Sequence, residues 1–211
     1  MKAWLLPLVP LLLAGCDLDV NDVGPCNERR DFNRIVDVGS ALETRIVSDN
    51  GFVRVVGRSN IDEVRVVGRA CARNRRDLDD VEMVAQRMDG YVRVLGLVAR
   101  GGRDARIDLT VEVPDWMLVE IEALRGDVDV DRVSGLIVIN EWGDIDVSDV
   151  FGDVEIEDGS GHIDVRHVDG DVWIWDESGD IYVEDVLGDL NIQDDTSGRL
   201  TYRNIRGVVR R

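Results

Sequence analysis

The sequence predicts an all-β chain: a β-solenoid of about five two-strand turns, preceded by an N-terminal antiparallel hairpin region. Three observations carry this. From residue 126 onward glycine recurs at 126, 135, 143, 152, 161, 170, 179, 188, 198 and 207, a nine-residue spacing with single-residue deviations. Each glycine opens a run in which aliphatic and polar residues alternate, the period of a strand. No segment carries the apolar period of a long amphipathic helix.

The chain begins with Lys2 and an apolar stretch, Ala3 to Leu13, interrupted by Pro7 and Pro10. That stretch is too short to span a bilayer as a helix but suits the apolar region of a signal peptide. It ends Leu13-Ala14-Gly15-Cys16, which resembles the bacterial lipobox. Residues 1–15 are therefore expected to be removed. Cys16 is expected to take a diacylglyceryl group on its thiol and further acyl chains such as palmitate. Several chains anchor stably where one would not. Asp17 resembles the signal that retains lipoproteins in the inner membrane, which favours its periplasmic face over the outer membrane. Residues 16–30 lack periodicity and read as a tether. In an oxidising compartment Cys26 and Cys71 suggest one disulfide, the alternative being two buried thiols.

Residues 31–125 read as hairpins. Thr44 to Val47 runs into Asp49-Asn50-Gly51 and then Phe52 to Val56, and Asn-Gly between such runs signals a hairpin turn. Glu63 to Val67 is a third strand. Asp77 to Asp80 suits one helical turn. Val81 to Met88 and Tyr91 to Leu95 flank Asp89-Gly90 as a second hairpin. Arg106 to Val113 alternates until Pro114 ends it.

Residues 126–211 form the repeat. Its unit is Gly-Asp-Val/Ile-x-Val/Ile, as in Gly143 to Val147 and Gly179 to Val183. Positions two and four after each glycine share a face, from Val128 and Val130 through Ile137 and Ile139 to Leu190 and Ile192. They are almost all β-branched, which suits a buried pleated surface. Alternate units add a later aliphatic residue (Val133, Val150, Val168, Val186, Ile205), so the true period is two units, one coil of two strands. Glycines would supply corners with positive φ, and the arginine-rich end from Arg203 to Arg211 would cap the last edge.

The Gly-Asp-Val repeats, Val113-Pro114, Val119-Glu120-Ile121 and the Val66 to Cys71 strand resemble the bacterial domain-of-unknown-function family 4097 over roughly residues 35–208. This group is adhesin-like and often found on lipoproteins. The resemblance implies a β-helix-type fold and an envelope role. It brings no catalytic residues.

Charge narrows the function. The formal net charge is −18, and the only lysine is Lys2. Nucleic-acid binding is not expected, because it needs a clustered basic surface. A mature chain without lysine also excludes a P-loop, a Schiff base or a Ser-Lys nucleophile. Residues 126–211 hold 22 acids against 7 arginines, whereas residues 17–125 hold 21 against 17. Aspartates following the repeat glycines would bond the corner backbone. As an alternative cation site, Asp127, Asp129, Asp131, Asp144 and Asp146 share faces, but a flat strand face offers few of the oxygens that calcium needs. No cofactor is expected. Trp173 and Trp175 should point outward, one rung from Glu155 and Glu157 and one from Asn191 and Gln193, as a surface for a glycan or an envelope protein. The alternative is that a loop or the first half covers them. The chain has neither a HExxH nor a GxSxG motif. The expectation is a non-catalytic envelope lipoprotein, against the alternatives of a glycan-active enzyme using two solenoid carboxylates or a calcium-binding module.

Overall fold

The computed structural model describes residues 26–99, 105–193 and 197–211. Cys16, Asp17 and the signal segment lie outside them. The described chain is all-β, with two nine-stranded sheets and one short helix, α1 (Arg75–Asp79). The first sheet runs β1 (Glu28–Asp37), β4 (Glu63–Ala72), β7 (Ala105–Pro114), β3 (Val53–Arg58), β9 (Val128–Asp131), β11 (Ile145–Val150), β13 (Ile163–Val168), β15 (Ile181–Val186) and β17 (Leu200–Ile205). The second runs β18 (Val209–Arg210), β16 (Leu190–Gln193), β14 (Val172–Asp176), β12 (Val154–Asp158), β10 (Gly135–Asn140), β8 (Leu118–Ala123), β2 (Glu43–Ser48), β6 (Tyr91–Val98) and β5 (Val81–Arg87).

From β9 onward consecutive strands alternate between the sheets, and each pairs in parallel with the strand two further on. This is the solenoid-like stacking that the glycine period implies. Each unit alone exposes an apolar face, and stacking merges those faces into one buried core that also takes in the first half.

The first half departs from the hairpin expectation at Asn50-Gly51. The strands on either side, β2 and β3, lie in different sheets. Each pairs in parallel, β2 with β6 and β8, β3 with β7 and β9. The turn is thus a sheet-to-sheet corner. Gly51 N–H donates to the Arg125 carbonyl at 2.9 Å, so the turn stacks on the repeat. Antiparallel pairing remains between β1 and β4, β4 and β7, and β5 and β6. Cys26 and Cys71 are joined by a disulfide, which fastens the start of the described chain to β4.

Three local features explain the repeat pattern. One corner glycine series has positive φ, as at Gly161 (φ 154°), where an added Cβ would lie 2.0 Å from the Gly143 carbonyl oxygen of the preceding rung. At the other corner the constraint is space. A Cβ on Gly170 would lie 2.3 Å from Asp153 Oδ1 and 2.5 Å from the Gly152 carbonyl oxygen. Second, Arg132, Asp149, His167, Asp185 and Asn204 all have left-handed backbone, each just before the later aliphatic residue. That kink turns Val133, Val150, Val168 and Val186 inward, where they are buried. Third, β10 breaks the expected parity. Leu136 and Val138 are buried, while Ile139 is 39% exposed. Leu136, not Ile137, pairs with Val154, so Gly135 lies one position past the corner. The corner carbonyl facing Gly152 belongs to Ser134. A one-residue slip exchanges the two faces of a strand.

Candidate functional site

The parallel register builds the site on the outer face of the second sheet. Glu155 pairs with Trp173 and Glu157 with Trp175. One rung on, Trp173 pairs with Asn191 and Trp175 with Gln193. The six predicted surface residues are thus two adjacent columns. Valine and isoleucine at the intervening positions point into the core, which leaves these side chains facing solvent. Both tryptophans are half-buried and both glutamates are exposed. Trp175 Nε1 donates to Gln193 Oε1 at 3.2 Å, which holds the indole by its edge.

A groove of about 810 Å³ runs along one side of this surface. Glu155, Glu157 and Trp175 line it, together with Ile139, Glu141 and Glu177. Trp173, Asn191 and Gln193 stand outside the groove. Among the described residues no arginine, lysine or histidine lines it. Ile139 is there because of the parity slip in β10, which sequence periodicity assigned to the core.

Beneath the groove wall runs a buried polar column. Asn140 pairs with Asp158, and Asp158 with Asp176. All three are at least 98% buried. Asn140 Nδ2 donates to the Gly143 carbonyl at 3.1 Å, and Asp176 Oδ1 accepts from Ser178 N at 3.1 Å. Asn140 Oδ1 finds no donor among the described residues. Burial first, then the Asp176 carboxylate, push Asp158 up to about 7, against the pull of Asn140 and the Gly159 N–H. This column escaped the sequence reading, although its signal was present. Residues 140, 158 and 176 recur at eighteen residues, two positions past an inward-facing one.

The aspartates weighed as cation ligands fall into separate columns. Asp127 Oδ1 accepts from Asp144 N at 3.0 Å, and Asp144 Oδ1 from His162 N at 2.8 Å. Asp153, Asp171 and Asp189 do the same at the other corner, each accepting from the backbone N–H one coil on. The corner aspartates therefore do bond backbone, but that of the next coil. Asp129 pairs in register with Asp146, and Asp146 with Asp164. Arg54 lies 3.5 Å from Asp129, and Arg166 binds Asp164. Burial, then Asp164 and Asp129, raise Asp146. Asp131 meets Ser148 Oγ at 3.3 Å and Arg132 at 2.6 Å. Among the described residues no group of three or more His, Cys, Asp and Glu is placed to hold a metal ion.

No family model matches the chain, and no curated protein matches it. Among solved structures it is similar to a candidate cell adhesion protein from Clostridium sporogenes, at 13% identity and a TM-score of 0.46, over 87% of this chain and 98% of that one. A candidate adhesin from Bacteroides fragilis follows at 9% identity and a TM-score of 0.34, over 86% and 96% of the two chains. A candidate adhesin from Parabacteroides merdae has 8% identity and a TM-score of 0.25, over 86% and 95%.

Proposed function

We propose that this chain is a non-catalytic, adhesin-like envelope lipoprotein of the solenoid type that presents the outer face of its second sheet as a binding surface. Cys16 would carry the lipid, with Asp17 favouring the periplasmic face of the inner membrane. Residues 16–30 would tether a body that uses no cofactor. The observation that supports the reading best is the groove itself. It places an edge-held tryptophan beside two exposed glutamates on a parallel sheet whose register sets their spacing. The partner would be an envelope protein or glycan that meets this face.

The glycan-cleaving alternative needs two carboxylates that reach substrate. Asp158 has the perturbed acidity that such a role requires, but both of its oxygens are sealed from solvent. That geometry supports binding over catalysis. The calcium-module alternative would need oxygens that converge, and Asp127, Asp129, Asp131, Asp144 and Asp146 are spread over separate columns.

The test is a calorimetric panel of envelope glycans and envelope proteins against the wild type and Trp175→Ala. Binding that weakens severalfold in the variant supports the reading. Turnover of a glycan that disappears on changing Glu155 and Glu157 would overturn it.

A further inference from the structure

The chain repeatedly builds one motif, an arginine laid over an aromatic ring and paired to a carboxylate beside it. Arg45 lies 4.6 Å from the Tyr91 ring centroid, 2.7 Å from Glu43 and 3.2 Å from Glu120. Arg203 lies 5.5 Å from the Tyr182 ring and 2.6 Å from Glu184. Arg166 also lies 5.5 Å from Tyr182 while it binds Asp164. Arg125 over Trp142 at 4.9 Å and Arg211 over Tyr202 at 5.0 Å stack on a ring with no ion pair among the described residues. A guanidinium suits this setting because its flat face stacks while its edge donates.

Trp173 and Trp175 have the ring and the carboxylates without the cation. They share the outer face of the second sheet with Tyr91 and Arg45, through the column Arg45, Glu120, Ile137, Glu155, Trp173. Among the described residues no arginine stacks on either indole, and the groove beside Trp175 has no basic lining. A second observation points the same way. The groove lining carries the carboxylates of Glu141, Glu155, Glu157 and Glu177 and, among the described residues, no basic side chain. Like charges gathered on one face favour a cation between them.

We infer that the groove receives an arginine-bearing extended peptide segment of a partner protein, with a guanidinium placed between Trp175 and the Glu155 and Glu157 carboxylates. The inference rests on the binding reading above and names its ligand class. Strand geometry supports an extended partner. Glu155 and Glu157 are two residues apart, roughly 6.6 Å along the strand, which is also the repeat of same-side residues in an extended peptide. Alternate basic residues would therefore meet both glutamates in register.

The experiment is calorimetric titration of the folded chain with a short synthetic peptide of alternating arginine and serine. A glutamate-serine peptide and a neutral oligosaccharide serve as comparisons. The arginine peptide should bind, more weakly as salt rises. Affinity should fall by about fivefold or more in Glu155→Gln/Glu157→Gln and again in Trp175→Ala. Asp146→Asn/Asp164→Asn on the first sheet should leave it unchanged. Equal losses in both acidic pairs would mean diffuse attraction to an acidic body and would overturn the inference. Binding of the oligosaccharide in a Trp175-dependent way, with none of the arginine peptide, would overturn the cationic partner and leave the binding surface intact. Failure of both ligands and of the envelope panel would overturn both readings.

Discussion

Asp158 should make this protein less stable as pH rises from about 4 to about 7, and Asp158→Asn should abolish that contribution. The sign follows from which state holds the proton. Folding lifts the carboxyl from 3.8 to about 7, so between those values the folded chain keeps a proton that the unfolded chain releases. The stabilisation is full below the unfolded value, is lost through the window and is flat above about 7. At about 1.4 kcal/mol per pKa unit the ceiling is about 4 kcal/mol. Asp158 borders the open groove although its oxygens are covered, and solvent that close screens the charge and lowers this to about 2 kcal/mol. A proton on Asp158 would also supply the donor that Asn140 Oδ1 lacks, and so would the amide of an asparagine at 158. The assay is urea denaturation of wild type and variant from pH 4 to pH 8. At pH 8 the variant should be more stable by about 2 kcal/mol, or about 4–8 °C in Tm for a chain of this size. The two should converge near pH 4. A variant less stable at pH 8, or a gap that does not change with pH, would refute the reasoning.

Three further outcomes follow from the geometry. Asp171→Ala should cost about 1–2 kcal/mol in denaturation, because it removes the acceptor that meets Asp189 N at 2.7 Å, and Asp171→Asn should recover most of the loss. Gly161→Ala should cost more than about 2 kcal/mol, from the Cβ contact with the Gly143 carbonyl together with the positive φ, measured as a fall in Tm. Unreduced protein, denatured, should show no reactive thiol from Cys26 or Cys71. Removing that cross-link should lower stability by about 4 kcal/mol, the chain-entropy value for its loop.

What the sequence could reveal depended on whether a signal was local. The period of the glycines and the alternation between them place each strand of β11 to β16 on its correct face, since side-chain direction follows from the pleat. Rung neighbours such as Glu157 and Trp175 follow from the same period. Three things depended on interactions distant in sequence. Asn50-Gly51 has the local chemistry of a hairpin turn, but the strands around it are claimed by β6 to β9, so the same turn serves as a corner. Ile137 and Ile139 obey the glycine count yet face outward, because Ser134 holds the corner and stacking against Val154 decides the register. The left-handed residues are chemically mixed (Arg132, Asp149, His167, Asp185, Asn204), so composition hides a position that the fold repeats at every coil.

The charge of −18 divides by geometry into two kinds. Corner aspartates spend their negative charge within the fold, each on a backbone N–H of the next coil, and Asp189, with Val208 N and then Arg210 beside it, is held below the usual carboxylate range. Asp189 therefore favours higher pH, since its contribution is lost as pH falls through the lowered value. The outer-face glutamates at 155 and 157 are different, because they project from strand positions where no backbone donor is available, all of those being used in the parallel ladder. They stand two residues apart on one strand, in register with Trp173 and Trp175 one coil on. The cationic peptide inferred above would supply the donors that the ladder leaves these two carboxylates without.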